Sequence, residues 1–170
     1  AIRGMNLFFS ERLECHHCHG GFNFTQSTTH EQQLIDRRPF HNTGLYNVEV
    51  KPKQYGYPAT DIGLAEVSTL AKDNGRFRAP TLRNISHSAP YMHDGSVATL
   101  AEVIDIYAAG GRNIESGPLK GDGRTNSMKS QFIKGFVLTE EEKKDLLAFL
   151  ESLTDMNFLT SPEHSKVETQ

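Results

Sequence analysis

The chain has 170 residues, a length that suits one domain with a hydrophobic core of its own. Its formal net charge of -3 comes from acidic and basic residues spread along the chain, so no basic stripe predicts binding to nucleic acid. No run of about eighteen apolar residues occurs, which argues against a membrane-spanning helix.

The first predicted element is a helix over residues 2–13, in which apolar side chains recur at helical spacing. These side chains are Met5, Phe8, Phe9 and Leu13. Because they would share one face, we expect this helix to pack on the core of the domain.

Directly after this helix comes the run Cys15-His16-His17-Cys18-His19, which contains both cysteines of the chain. A Cys-x-x-Cys-His run is typical of haem c attachment, in which two thioethers form and the histidine becomes the proximal iron ligand. Cys15 and Cys18 lie about one helical turn apart, so both sulfurs can reach the same flat cofactor. The run therefore predicts one haem c in this chain, held by Cys15, Cys18 and His19.

Other uses of this run remain open on the residues alone. One is a redox-active dithiol, although the histidine that follows favours haem attachment. Another is a zinc half-site, which would usually have a second pair of ligands downstream at regular spacing. The remaining histidines are scattered instead, at His30, His41, His87, His93 and His164. His16 and His17 are either exposed residues without a role or neighbours of a second redox centre.

The long segment over residues 22–98 shows no long helical pattern and is interrupted by prolines and turn residues. Such a stretch is uncommon in a compact domain unless it encloses something, and a haem is such an object.

Regular structure returns with two capping boxes, which are typical of helix N-termini. Thr99-x-x-Glu102 predicts a helix that ends at Gly110, and Thr139-x-x-Glu142 predicts a final helix through Leu153. The expected fold is therefore mainly α and of the class I cytochrome c type, with terminal helices in contact and long haem-enclosing loops. The predicted domain covers residues 1–155, and residues 156–170 form a C-terminal tail.

The second axial ligand decides whether the iron binds small molecules or only transfers electrons. The candidates are Met92, Met128, Tyr107 and several histidines. Met92 lies in an irregular loop of the kind that carries a methionine ligand in small cytochromes c. Tyr107 shares a helix face with Val103 and Ile104, so on this pattern alone it fits a core tyrosine at least as well as a ligand.

Three further segments form a combined motif with the attachment run: residues 77–84 (FRAPTLRN), 89–95 (APYMHDG) and 99–111 (TLAEVIDIYAAGG). Together they resemble the C-terminal haem domain of the bacterial di-haem cytochrome c peroxidase and MauG family. The resemblance extends over about residues 2–155.

This resemblance implies a set of ligands. Peroxidases of the family place methionine opposite the proximal histidine, whereas the MauG-like branch places tyrosine there in a Tyr-x-x-Gly-Gly context. Tyr107 matches that position, so we expect it to be the distal iron ligand, with Met92 as the alternative. The family also binds a calcium ion between two domains, and the backbone carbonyls of Ser88 and Pro90 match its ligands in this half.

Members of the family are longer and carry two haems, whereas this chain has one attachment motif. We therefore expect it to be the electron-transfer half of an oxidoreductase that acts with hydrogen peroxide. An upstream domain or a partner chain would supply the peroxide-reactive haem, and a redox protein would be the electron donor or the substrate. The alternatives are a stand-alone mono-haem electron carrier and a chain made without its haem.

The location follows from the cofactor, because haem c is attached outside the cytoplasm in bacteria. We therefore expect a periplasmic protein. The chain starts at Ala1 without a charged and apolar leader, so either a signal peptide has been removed or the sequence is a piece of a longer protein.

Overall fold

The computed structural model of the chain describes residues 1–28 and 39–164. His30 and residues 165–170 of the predicted tail lie outside these ranges. The helices are α1 (Ile2–Phe8), α2 (His16–His19), α3 (Ala65–Ser68), α4 (Leu100–Ala108), α5 (Glu140–Glu151) and α6 (Met156–Thr160). The strands are β1 (Phe40–His41), β2 (Val48–Lys51), β3 (Gln54–Gly56), β4 (Phe77–Arg78), β5 (Asn113–Ile114) and β6 (Gly121–Asp122).

Helices α1 and α5 pack against each other and form one side of the main hydrophobic core. Phe8 of α1 and Phe149 of α5 are buried there, with ring centroids 5.2 Å apart. Gly4 permits the close approach, since a Cβ at this position would lie 1.9 Å from the carbonyl oxygen of Asp145. The predicted contact between the N-terminal and C-terminal helices is therefore present.

We expect Gly4→Ala to lower the free energy of unfolding by about 1–3 kcal/mol, because the new methyl group overlaps backbone atoms of α5. Denaturant titration followed by circular dichroism measures this change. The control is Asn6→Ala on the exposed face of the same helix, expected to shift stability by less than about 0.5 kcal/mol. Equal stability of the two variants would contradict the close contact between α1 and α5.

The first helix is shorter than predicted, since α1 ends at Phe8 and turns follow through residue 13. The Ser10 hydroxyl donates a hydrogen bond to the Leu7 carbonyl at 2.6 Å, a local bond that competes with helix continuation. Glu14 then adopts a left-handed backbone with φ 55°, which separates α1 from the attachment run.

The apolar face predicted for this segment is correct in part. Phe8 and Leu13 are buried in the main core, as expected. Met5 and Phe9 are 41% and 45% exposed, and Phe9 lies just beyond the end of α1. Periodicity therefore identified two of the four expected core residues but not the bend that follows α1.

Both predicted capping boxes are confirmed. In each, the threonine hydroxyl accepts from the backbone N–H of the glutamate, and the glutamate carboxylate accepts from the threonine N–H. The two boxes cap the N-termini of α4, which follows Thr99, and of α5, which follows Thr139. Helix α5 ends two residues earlier than predicted, and it buries the expected side chains Leu146, Phe149 and Leu150.

A small antiparallel sheet, in the order β3-β2-β6-β5, was not predicted from the sequence. A separate pair joins β1 to β4. These strands are two to four residues long, too short to show an alternating pattern. A second core of Leu45, Tyr46, Val48 and Tyr57 lies around strand β2. The expectation of a mainly α chain therefore omitted the strands.

The end of the chain carries structure beyond the predicted domain boundary. Helix α6 begins after Asp155, whose backbone N–H donates to the Asn84 side-chain oxygen at 2.7 Å. Met156 and Phe158 of this helix are about half exposed, at 54% and 51%. The boundary at residue 155 stays a prediction. No helix within residues 1–28 and 39–164 is both long and apolar enough to cross a bilayer.

Candidate functional site

The imidazole of His19, in the single turn α2, is fixed by two backbone carbonyl groups. Its Nδ1 lies 3.1 Å from the Pro80 oxygen and 3.3 Å from the Phe24 oxygen. Because carbonyl oxygens only accept hydrogen bonds, Nδ1 carries the proton and Nε2 keeps its lone pair. Burial lowers the pKa of His19 despite these two bonds, so the ring is neutral at pH 7. A neutral imidazole with an oriented Nδ1–H and a free Nε2 is the form that ligates a metal.

The Pro80 carbonyl is held in place by threonine side chains that tie two distant segments together. The Thr25 hydroxyl donates to the Ala79 carbonyl at 2.6 Å, and the Thr81 hydroxyl donates to the Asn23 carbonyl at 2.6 Å. Part of the segment 77–84 therefore runs alongside the residues that follow the attachment run. From this position the segment orients His19 through the Pro80 carbonyl, a role that the sequence did not predict.

The thiols of Cys15 and Cys18 are both partly buried and are not joined in a disulfide. Burial raises the pKa of Cys15 to about 12 and that of Cys18 to about 11. A redox-active dithiol needs the opposite shift, so these surroundings argue against that use of the run. The same surroundings suit thioethers, because an uncharged sulfur has little hydration free energy to lose on burial.

Tyr107 lies in the last turn of α4, and the thiols of Cys15 and Cys18 are near enough to influence the pKa of its phenol. Burial is the main cause that raises the pKa of its phenol, and the charges of Cys18, Cys15 and Tyr57 add to the effect. The side chain nevertheless keeps some accessible area. Tyr107 is therefore largely buried without being sealed from solvent.

Met92, the alternative ligand, packs on the second core together with Tyr57 and has a left-handed backbone with φ 70°. The second core on which Met92 packs contains Tyr57, which also acts to raise the pKa of Tyr107. The assignment of the distal ligand stays a prediction, as do those of Cys15, Cys18 and His19.

His41 is a residue near the site whose position the sequence did not reveal. Its Nε2 atom is buried and has no hydrogen-bond partner, and its charge acts to lower the pKa of His19. The pairing of β1 with β4 brings His41 opposite Phe77, a contact between residues far apart in the chain. A buried nitrogen without a partner, in a residue near enough to influence His19, fits a site where a bound group would supply the missing hydrogen bond.

Comparison with known proteins identifies the family of this chain. The crystal structure of a MauG-like protein associated with microbial copper homeostasis matches the chain with a TM-score of 0.88 at 52% identity, covering 95% of this chain and 48% of that one. The cytochrome-c peroxidase IdrP1 of Pseudomonas sp. is 35% identical over 161 residues, or 89% of the chain. MauG of Methylorubrum extorquens is 30% identical over 155 residues, or 90% of the chain. The chain belongs to the cytochrome-c peroxidase and MauG family. No family model matches it.

The chain spans only part of its relatives in this family. It covers 39% of the length of IdrP1 and 34% of the length of MauG. The names of these relatives support a haem c cofactor and an oxidoreductase of the peroxidase type. They say nothing of calcium or of how many haems this chain binds.

The two residues expected to ligate calcium, Ser88 and Pro90, are both exposed. The Ala89–Pro90 peptide bond is cis, and the Ser88 hydroxyl donates to the Ile85 carbonyl at 3.0 Å. Two carbonyl groups do not complete a calcium shell, which takes six to eight oxygen atoms. The calcium site stays a prediction that needs ligands from another domain.

The carboxylate of Asp94, in the family motif at residues 89–95, anchors this loop on the second core. It accepts hydrogen bonds from the Tyr46 hydroxyl at 2.5 Å and from the Ser96 backbone N–H at 3.0 Å. Burial acts to raise the pKa of Asp94, but these hydrogen bonds outweigh it and leave the pKa below its ordinary value.

We expect Asp94→Asn to destabilise the protein at neutral pH. A folded-state pKa below the unfolded value of about 3.9 stabilises the fold above that pH. The contribution is lost as the pH falls through the lowered pKa of Asp94. Denaturant titrations between pH 2 and pH 7 would therefore show the variant and the parent converging in acid. The exposed Glu115→Gln serves as control, and a stability gap independent of pH would contradict the role of Asp94.

Proposed function

We propose that this chain is the electron-transferring haem c domain of a di-haem, peroxidase-like oxidoreductase. The observation that carries the proposal is the state of His19, whose Nδ1 donates to Pro80 while Nε2 stays free. Two partly buried thiols lie three positions apart in the chain, and both influence the pKa of Tyr107. Relatives named cytochrome-c peroxidase and MauG support the same assignment.

In this proposal Cys15 and Cys18 hold the haem through thioethers, His19 is the proximal ligand and Tyr107 is the distal one. When bound, the haem supplies an iron that changes its charge by one electron. Because burial raises the pKa of Tyr107, its phenol ionises at neutral pH only opposite a strong positive charge. A phenolate is a hard anionic donor and favours ferric iron, so Tyr107 would lower the reduction potential.

The fold supports a relay rather than a site of peroxide cleavage. Contact between α1 and α5, with the irregular middle of the chain beside α2, agrees with a class I cytochrome c-like domain. Two protein ligands on one iron leave no position open for peroxide. The peroxide-reactive haem would lie in a further domain or partner chain, and a periplasmic redox protein would donate electrons or be oxidised.

Peroxide consumption by the haem-loaded chain tests this proposal. Because both axial positions are filled by protein, we expect turnover no faster than that of free haem at equal concentration. The ferric spectrum should at the same time be six-coordinate. Rapid turnover together with a five-coordinate ferric spectrum would instead make this chain the peroxide site and contradict the proposal.

A further inference from the structure

A second group of metal-binding side chains lies beside the haem-attachment residues and uses none of them. It consists of Glu11, in the turn after α1, and of His16 and His17 at the start of α2. Haem attachment requires neither histidine. Within residues 1–28 and 39–164, no other group of at least three His, Cys, Asp or Glu side chains has its ligand atoms close enough to share one ion.

The separations within this group suit ligands of one cation better than hydrogen bonds. His16 Nε2 lies 3.6 Å from one Glu11 carboxylate oxygen, and His17 Nε2 lies 3.7 Å from the other. Both distances are too long for hydrogen bonds. Atoms bound tetrahedrally to one ion at about 2.0–2.2 Å lie roughly 3.3–3.6 Å from each other. All three ligand atoms lie within 4.8 Å of one another, so a small side-chain rotation completes the set.

The state of His16 also favours a cation. Its Nδ1 is buried and has no hydrogen-bond partner, and its Nε2 is too far from Glu11 for a hydrogen bond. The Glu11 carboxylate carries only lone pairs, so the Nε2 atom that faces it must either carry a proton or share a cation with it.

The two imidazole rings are held in position before any ion binds. The His17 ring stacks on Phe132, with centroids 4.6 Å apart and an interplanar angle of 18°. The His16 ring lies 4.3 Å from that of His17 and 6.1 Å from that of Phe9. Glu11 is 80% exposed and can adjust, so two fixed ligands and one movable ligand are present.

We propose that Glu11, His16 and His17 form a binding site for one divalent transition-metal ion of the Zn²⁺ or Cu²⁺ class. Two imidazole nitrogens and one carboxylate are the donors that such ions prefer. Mg²⁺ and Ca²⁺ prefer shells of oxygen atoms and are not expected to bind. Three protein ligands leave the fourth position of a tetrahedral ion to a water molecule. The proposal does not depend on which residue is the distal haem ligand.

Calorimetric titration of the haem-loaded ferric chain, with any affinity tag removed, tests the site. In that protein both cysteines are consumed by haem, so they cannot bind the added ion. Separate arms use Zn²⁺, Cu²⁺ and Mg²⁺. We expect one Zn²⁺ or one Cu²⁺ per chain and no binding of Mg²⁺.

Variants locate the ion. Because Glu11 is exposed, Glu11→Gln should leave the haem spectrum and the fold unchanged while weakening Zn²⁺ binding at least tenfold. His17→Gln should abolish binding, and His164→Gln, an exposed histidine elsewhere, should leave it unchanged. The absence of saturable binding, or equal affinity in Glu11→Gln and the parent, would overturn the proposal. Since the Glu11 side chain is 80% exposed, this decision rests on Glu11→Gln and is not affected by a folding defect in His17→Gln.

Discussion

Replacing both Cys15 and Cys18 by serine is expected to abolish covalent haem attachment. The two thiols are the only groups of the chain that can form thioethers, since the sequence contains no other cysteine. Acid–acetone extraction removes haem that is held only by its iron ligands. We therefore expect all of the Soret absorbance to leave the double variant, whereas the parent keeps it on the polypeptide.

Loss of the haem should also disturb the fold, because the irregular segment around the site would lose the group it encloses. We expect circular dichroism to report a broader, less cooperative thermal transition in the double variant. The control is Val67→Ala, at a side chain that is 84% exposed, which should retain covalent haem and the parent transition. Haem that resists extraction in the double variant would contradict attachment through these cysteines.

Tyr107→Phe is expected to convert the ferric haem from six-coordinate low-spin to five-coordinate high-spin. The substitution removes one oxygen atom and keeps the aromatic ring at position 107. The free energy of unfolding should therefore change by no more than about 1.5 kcal/mol. Loss of an anionic donor should raise the reduction potential by a measurable part of the ~0.8 V range over which axial ligands act. Absorption and electron paramagnetic resonance measure the change in coordination and spin state, redox titration measures the potential, and denaturant titration measures the free energy of unfolding.

Met92→Leu is the matched control for this experiment, because Met92 is the other candidate ligand and packs on the second core, which contains Tyr57. We expect its ferric spectrum to equal that of the parent. A stand-alone electron carrier with methionine ligation predicts the reverse pattern. In that case the parent would show a charge-transfer band near ~695 nm, as expected for a methionine sulfur on the iron. Met92→Leu would lose this band and Tyr107→Phe would keep it.

The features predicted correctly from the sequence are those that a few neighbouring residues specify. A capping box needs a threonine and a glutamate three positions apart, and the boxes at Thr99 and Thr139 both formed as expected. The attachment run is equally local, since Cys15, Cys18 and His19 lie within five consecutive residues, although its role in binding haem stays a prediction. The core face of α5 followed from helical periodicity over twelve residues.

The features that escaped prediction depend on contacts between distant residues. Pro80 orients His19 from 61 positions away, and neither residue carries a local sign of that bond. His41 was counted among isolated histidines because only the pairing of β1 with β4 brings it to the site. The end of α1 depends on Ser10 and Glu14, whose local geometry interrupts an apolar pattern that continues to Leu13.

The histidines inside the attachment run illustrate the same limit. From the sequence, His16 and His17 fit either exposed residues without a role or neighbours of a second redox centre. In the structure the bend after α1 brings Glu11 beside both imidazole rings. The bend therefore brings Glu11, His16 and His17 together as three potential metal ligands.

The mass of the intact, unmodified chain tests the central claim most directly. The chain should be produced in a bacterial periplasm that attaches haem c and measured under denaturing conditions, where only covalently bound groups remain. We predict a single species heavier than the polypeptide by one haem, with no thiol open to alkylation. A species at the polypeptide mass, in which Cys15 and Cys18 both react with an alkylating reagent, would contradict the assignment of this chain as a haem c domain.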